Sequence, residues 1–447
     1  MLDRWLSSVT AAGRDLLRSR GWISSDGKTA LTLEQLCDRL LSSRGEALGT
    51  AIASTVVERC KEFDSNQCDA FFELLVARYG VDQQALAEAI DTYQSRPTAA
   101  ARAALNRATE APRQELFRRI NMAPDGTQTL VNLRAQLLQS LAAKPHLGEV
   151  DSDLRHLLGS WFNRGFLQLT AIDWRTPAHI LEKLMAYEAV HAMHGWADLR
   201  RRLAGDRRCF AFFHPAMPDE PLIFVQVALC RGMATSVQKL LEEAVDESAQ
   251  SSADTAIFYS ISDCQRGLKG VSLGNFLIKQ VVLELQRDLP NLSQFATLSP
   301  IPGLVNWLQK NREVIEPSGE HSEALVALLD ALADGGDPGA AWQRLEQSNG
   351  QQLVERLAAH YLYRAKRGQQ PLDAVARFHL RNGAALEQVN VSGDTSVKGR
   401  AQSLGVMVNY RYRLDAVESN HEAFVSDHHI ATEKSFIKQL EGNKRRQ

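Results

Sequence analysis

Hydrophobic positions through about residue 190 recur at helical spacing. In TLEQLCDRLLSS, Leu33, Leu36, Leu40 and Leu41 form one stripe, and Thr32 followed by Gln35 carries the signature of a capping box. The segments TAIASTVVERCKEF, CDAFFELLVARYG, VDQQALAEAIDTY, TAARAALNRATEA, PRQELFRRIN, TLVNLRAQLLQSLAA and DSDLRHLLGSWFNRG continue the pattern. Pro112, Pro124 and Pro145, with Gly80, Gly126 and Gly165, punctuate them. No fixed period repeats closely, so these helices predict a bundle and not a solenoid. A last long helix is expected in DWRTPAHILEKLMAYEAVHAM from Asp173, capped by Thr176 with Pro177 in its first turn.

After Gly205 the pattern changes. CFAFFH from Cys209, LIFVQVAL from Leu222 and TAIFYSI from Thr255 to Ile261 are rich in β-branched and aromatic residues and predict strands. VSLGNFLIKQVVLELQRDL predicts a helix that turns Leu273, Phe276, Leu277, Val281, Leu285 and Leu289 toward a sheet. Residues 321–367 return to helices, and ALEQVNV and SLGVMVNYRYRL are strands again. The chain therefore predicts a multidomain protein, an all-α helical bundle over residues 1–194 and an α/β or α+β domain over residues 195–447.

Length agrees, since 447 residues exceed what one hydrophobic core commonly serves. The 51 basic and 53 acidic residues leave a net charge of −2, which removes the compositional argument for nucleic acid. Six cysteines form no Cys-x-x-Cys pair and no zinc-like spacing, and they suggest a reducing compartment. The longest apolar run, PLIFVQVALC, is too short for a membrane span and contains Gln226. MLDRWLSSVTAAGRDLLRSRGW spaces Trp5, Leu6, Val9, Leu16 and Leu17 helically among arginines, but Asp3 and Asp15 run against a transit peptide. The expected compartment is the cytoplasm, with neither membrane nor nucleic acid as partner.

Two stretches carry candidate chemistry. CQRGLKGVSLGNFLIKQVV lies between a predicted strand and a predicted helix, where backbone N–H groups and the helix end can meet an anion while Gly267 and Gly270 permit close approach. The alternative is a glycine turn used only for packing. In ATLSPIPGLVNW, Pro300 and Pro302 restrict the backbone beside Ser299, which is either a turn serine or a hydroxyl held for chemistry. His379 in ARFHLRNGAALEQVN falls at the end of a predicted helix before Asn382-Gly383. There it interacts with terminal carbonyls or exchanges protons near neutral pH. His214 in FFHPAMPDEP, Asn306 and Tyr410 are further candidates, each with a structural alternative: a turn cap, a solvated face and strand packing. Arg411 and Arg413 share one alternating face.

The glycine turn resembles the coenzyme A loop of the GNAT acyltransferase fold. Gln265 and Gly270 match the ends of its Gln/Arg-x-x-Gly-x-Gly/Ala pattern, and Leu268 stands where its middle glycine would be. In order along the chain, RRCFAFFHPAMPDEPLIFVQVAL, TAIFYSISDCQRGLKGVSLGNFLIKQVV, FATLSPIPGLVNWL, ARFHLRNGAALEQVN and SLGVMVNYRYRL closely resemble the malonyl-CoA decarboxylase family. LTAIDWRTPAHILEKL extends the resemblance into the helical half. The resemblance implies a self-associating helical domain, hence a homo-oligomer, and a GNAT-like α/β catalytic domain. It places the malonyl-CoA loop on Lys269, Gly270, Val271, Ser272, Leu273, Gly274 and Asn275, the catalytic serine on Ser299 and the catalytic histidine on His379. His214 lies in a matching segment. The reaction implied is malonyl-CoA to acetyl-CoA and carbon dioxide. The substrate supplies the coenzyme A moiety and its own electron sink, so no separate cofactor or metal is expected. A peroxisomal Ser-Lys-Leu ending is replaced by Arg445, Arg446 and Gln447, which also favours the cytoplasm. The competing readings are an acyl-CoA-dependent acyltransferase, which needs an acceptor, and a noncatalytic malonyl-CoA sensor.

Overall fold

A computed structural model describes residues 15, 17–19, 22, 29, 31–43, 45–246, 248–271, 273, 277–315, 320–334, 339–348 and 350–441. Asp3, Trp5, Leu6, Val9 and Leu16, the loop residues Ser272, Gly274, Asn275 and Phe276, and Arg445, Arg446 and Gln447 lie outside the described residues. Contacts divide the chain into two compact units. One comprises Met1–Gln168, Phe213–Leu222 and Cys264–Gly274; the other comprises Leu169–Phe212, Ile223–Asp263 and Asn275–Gln447.

In the first unit the amphipathic segments form helices at Leu33–Ser42, Glu46–Lys61, Ser65–Tyr79, Gln83–Ser95, Ala99–Ala108, Pro112–Asn121, Gly126–Ser140 and Gly148–Trp161. The expected capping box forms: Gln35 N donates to Thr32 Oγ1 at 3.2 Å, and Thr32 N donates to Gln35 Oε1 at 3.0 Å. Their apolar faces meet in a core where Leu36, Ile52, Phe71, Phe72, Leu116, Phe117, Leu130 and Leu137 are each at most 1% exposed. Burial of one such side chain contributes roughly 1.5–3 kcal/mol. Arg113 is buried beside them with its charge matched, since Nε donates to Asp153 at 2.6 Å and Nη2 to Glu149 at 2.9 Å.

The second unit is built on a mixed sheet. Its strands are β1 (Gln168–Ile172), β2 (Arg207–Phe213), β3 (Ile223–Cys230), β4 (Thr255–Asp263), β5 (Gln294–Thr297), β6 (Ser299–Pro300), β9 (Ala385–Asn390) and β10 (Met407–Arg411). A separate short pair joins β7 (Lys366–Arg367) to β8 (Gln370–Pro371). The order is β1-β2-β3-β4-β5-β10-β6, with β9 also paired to β10. β2, β3 and β4 are antiparallel, whereas β4 and β5 run parallel from Thr255↔Gln294 to Phe258↔Thr297. β3 is an unbroken apolar run, apart from Gln226, because nearly its whole length is covered on both faces. Between β3 and β4 the register slips from Gln226↔Ser260 to Val227↔Phe258, so Tyr259 is the extra residue of a bulge.

Two local expectations change. The helix expected from Asp173 spans only Ala178–Tyr187, and Pro177 is its N-cap. Thr176 Oγ1 instead accepts from Asp173 N at 3.1 Å in the preceding turn. The helix stops because the buried Glu188 carboxylate takes Val190 N at 2.8 Å and His191 N at 3.1 Å, which folds the chain back. The strand β1 falls within a region read as helical. It ends the sheet order and is largely exposed, so no apolar alternation announces it.

Candidate active site

Ser299 opens β6, one residue beyond the end of β5. Leu298 N donates to Phe258 O at 2.9 Å, and Val408 of β10 pairs with Ser299, so the backbone is fixed from both sides before Pro300 restricts it further. His379 arrives on the helix Ala374–Arg381. Asp373 caps that helix by accepting from Ala376 N at 2.8 Å, and Asn382 N returns to His379 O at 3.1 Å. Beyond the C-cap Asn382 stands Gly383, with φ of 83°, where an added Cβ would stand 2.1 Å from the Val417 carbonyl oxygen; only glycine fits both constraints. These two anchored elements bring Ser299 Oγ to 3.1 Å from His379 Nε2 across 80 residues of sequence, with both residues buried.

The network has one internally consistent proton assignment. Ser299 Oγ donates to Thr297 Oγ1 at 2.9 Å, which leaves Oγ to accept from His379 Nε2–H. Nδ1 then accepts from the Tyr412 hydroxyl at 2.9 Å. Burial pushes the His379 imidazolium down to about 3 and the Tyr412 phenol well above its usual range, so both groups are neutral near pH 7. Tyr410 packs flat on the imidazole, its ring centroid 4.4 Å away at 25°. Its hydroxyl is buried with no hydrogen-bond partner among the described residues, so its contact with His379 is through the ring face.

Ser299 and His379 open onto a cavity of about 270 Å³ whose other sides are mainly apolar, including Val190, Ile223, Val225, Leu277, Ile278 and Phe378. Phe258, Tyr259, Ser260 and Ile261 of β4 also line it. Because β5 pairs with β4 only over Thr255–Phe258, the edge of β4 from Tyr259 onward leaves that ladder at the cavity. A bulged backbone beside a mainly apolar cavity can present N–H groups to a developing oxyanion. Among the described residues, no group of three His, Cys, Asp or Glu side chains is placed to hold a metal ion.

Other candidates stand elsewhere. His214 lies in the first unit, where Nε2–H donates to Trp161 O at 3.1 Å and Nδ1 accepts from Ala216 N at 3.1 Å; burial lowers its basicity. Its ring packs against Phe162 and Phe166. Asn306 is exposed on the helix Leu304–Lys310 and is not among the cavity-lining residues. Gln265 is buried, its amide donating to Pro221 O at 3.1 Å. Lys269 and Gly270 are exposed, Gly270 with φ of 77°, and Val271 N donates to Leu268 O at 2.9 Å. Val271 and Leu273 pack on Leu158, Phe162 and Leu268. Arg411 and Arg413 are taken up by Glu387 and Asp415, each at 3.3 Å. The contributors missed in the sequence are Thr297 and Tyr412. The alternation in NYRY was the available signal for Tyr412, since residues two apart on an extended segment share a side.

Against known families, the model described as malonyl-CoA decarboxylase C-terminal domain matches residues 165–447, and the corresponding N-terminal domain matches residues 79–162. The chain belongs to the malonyl-CoA decarboxylase family. The mitochondrial malonyl-CoA decarboxylase of Anser anser anser is 40% identical over 364 residues, covering 73% of this chain and 70% of that protein. The solved malonyl-CoA decarboxylase of Rhodopseudomonas palustris superposes with a TM-score of 0.81 at 46% identity, covering 91% of this chain and 98% of that one. The one from Agrobacterium vitis gives 0.81 at 47%, covering 92% and 99%. Family membership makes the buried Ser299–His379 pair a candidate catalytic pair for decarboxylation, beyond a structural hydrogen bond.

Proposed function

We propose that this chain is a carboxy-lyase that converts malonyl-CoA to acetyl-CoA and carbon dioxide, with Ser299, His379 and Tyr412 as its proton relay. The observation that carries the mechanism is the 3.1 Å contact between Ser299 Oγ and His379 Nε2 at the wall of an apolar cavity. The bond between the α-carbon and the carboxylate breaks, and its electron pair moves into the thioester carbonyl. Carbon dioxide leaves and an enolate remains. Backbone N–H groups at the β4 bulge stabilise its oxyanion, an interaction strengthened by the apolar lining of the cavity.

Protonation at the α-carbon completes the reaction. The Ser299 hydroxyl turns from Thr297 to the substrate and gives up its proton, Nε2–H of His379 restores it, and Tyr412 O–H refills Nδ1. Each proton moves one place and the negative charge passes from the enolate to the phenol oxygen. A thioester enolate is a stronger base than an ordinary phenolate, which drives the relay in this direction, while burial of Tyr412 opposes the last transfer. Solvent returns the single proton that each turnover consumes. His379 therefore acts as a neutral imidazole, not as a preformed imidazolium.

The finer architectural reading is GNAT-like, supported by the antiparallel run β2-β3-β4 followed by the parallel β4–β5 pair and the bulge at Tyr259. We assign the coenzyme A loop to residues 269–275, supported by the left-handed, exposed Gly270. The functional division at residue 194, self-association of the helical half and a cytoplasmic location complete the proposal. Six unpaired cysteines support a reducing compartment. Incubation with malonyl-CoA and no acceptor should yield acetyl-CoA and carbon dioxide in equal amounts. A requirement for an amine or alcohol acceptor would instead identify an acyltransferase, and binding without turnover a sensor.

A further inference from the structure

We propose that Arg155, on the helix Gly148–Trp161, binds the phosphates of the coenzyme A nucleotide as they cross the exposed turn at Gly270. This rests on the reading of residues 269–275 as the coenzyme A loop, and it adds a residue from the helical half that neither the motif nor the family resemblance pointed to.

Three observations, all within the first unit, carry it. The turn Arg266–Leu268 is seated hard on the helix Gly126–Ser140, because a Cβ at Gly267 would stand 1.9 Å from the Val131 carbonyl oxygen. Arg134 locks it there: Nη1 donates to Gly267 O at 2.6 Å and to Lys269 O at 2.9 Å, while Nε donates to Asp151 at 2.8 Å. Those two carbonyls and the Asp151 carboxylate are thereby taken up by Arg134. The turn then reaches the left-handed Gly270, whose Cβ position lies 4.0 Å from Arg155 Cδ. Arg155, Arg266 and Lys269 are exposed, and no ion pair among the described residues engages them. Exposed cations without a carboxylate partner, beside a backbone turn that has no side chain in the way, suit a phosphate group. Arg134 is a positioning residue in this arrangement, and Arg155 a binding one.

The test compares malonyl-CoA with malonyl-pantetheine, which carries the same thioester and no nucleotide phosphates. Arg155→Ala is expected to raise KM for malonyl-CoA about tenfold, as expected for the loss of one charged hydrogen-bonded contact. KM for malonyl-pantetheine should stay within about twofold of its wild-type value, a split that general loosening of the helix would not produce. Arg155→Lys should recover part of the loss. With malonyl-dephospho-CoA, a penalty that persists assigns Arg155 to the pyrophosphate, and one that vanishes assigns it to the 3′-phosphate. An unchanged KM for malonyl-CoA in Arg155→Ala, or an equal rise for both thioesters, overturns the proposal. Lys269→Ala separates the two readings. If it raises KM for malonyl-CoA where Arg155→Ala does not, the loop assignment stands and Arg155 falls; if neither variant changes KM, both fall.

Discussion

The Ser299–His379 pocket and the Gly267–Gly270 turn are both held in place by hydrogen bonds, but of opposite character. Around Ser299 the chain Thr297, Ser299, His379 and Tyr412 is neutral and buried, with each polar atom used by the next. Around Gly270 one buried guanidinium, Arg134, fixes the backbone from beneath while exposed cations rim the turn. The difference matches the two tasks the substrate sets. Breaking the carboxylate bond spreads charge and is helped by an apolar, preorganised site, whereas the nucleotide binding proposed for the turn uses positive charge at the surface. The two regions should therefore fail differently, the pocket in kcat and the turn in KM.

The largest effect should come from His379→Asn, which keeps a polar group of similar bulk but removes the relay. General acid–base steps contribute about 10²- to 10⁴-fold, and kcat should fall within that range while KM changes little. Ser299→Ala should fall comparably. Retained turnover in either folded variant would remove that residue from the mechanism. Next in size is Gly267→Ala. Its Cβ meets a backbone oxygen that cannot swing aside, so the turn must lift from the helix at a cost of about 2–3 kcal/mol. That corresponds to a rise in KM of about 30- to 150-fold, with kcat at saturation largely kept. A variant with normal KM and lowered kcat would break the proposed division.

Much of this was legible in the sequence, because some constraints are local. The helical stripes, the capping box at Thr32 and the apolar strand β3 are written in neighbouring residues, and the structure agrees with them. The helix end that presents His379 was legible as well, since Asn382-Gly383 carries its own stop signal. The polar edge strand β1 was not, because its side chains are mostly solvated and follow no apolar period. Thr297 was not either, and Tyr412 left only the alternation in NYRY, because both roles depend on the pairing of β10 with its neighbours across more than 100 residues. Arg134 resembles an ordinary surface arginine of an amphipathic helix until the turn that covers it is in place.

Tyr412→Phe sharpens the pocket side of the comparison at a smaller scale. It removes only the donor to Nδ1, so His379 keeps its place against Tyr410 but loses the bond that selects the Nε2–H tautomer. The loss of one buried hydrogen bond is about 1–2 kcal/mol, or about tenfold in kcat, with KM unchanged. A rate equal to wild type would end the relay at His379.

The smallest expected effect is on the pH profile, where the dry pocket predicts almost nothing. If His379 worked as an exposed imidazole, kcat would inflect near its ordinary value of about 6.5. Burial moves that titration down to about 3, so from about pH 5.5 to 8 this residue should leave kcat flat. The same shift appears in stability with a definite sign. The unfolded chain takes up a proton at His379 below about 6.5 and the folded chain does not until about 3, so acid favours the unfolded state through that window. The stabilisation is present above about 6.5 and is lost progressively as the pH falls toward 3. Unfolding in urea at pH 7 and pH 5 should show His379→Asn losing less stability between the two than the wild type. An equal loss, together with an inflection of kcat near 6.5, would mean that water reaches the imidazole and that the pocket is no drier than the turn.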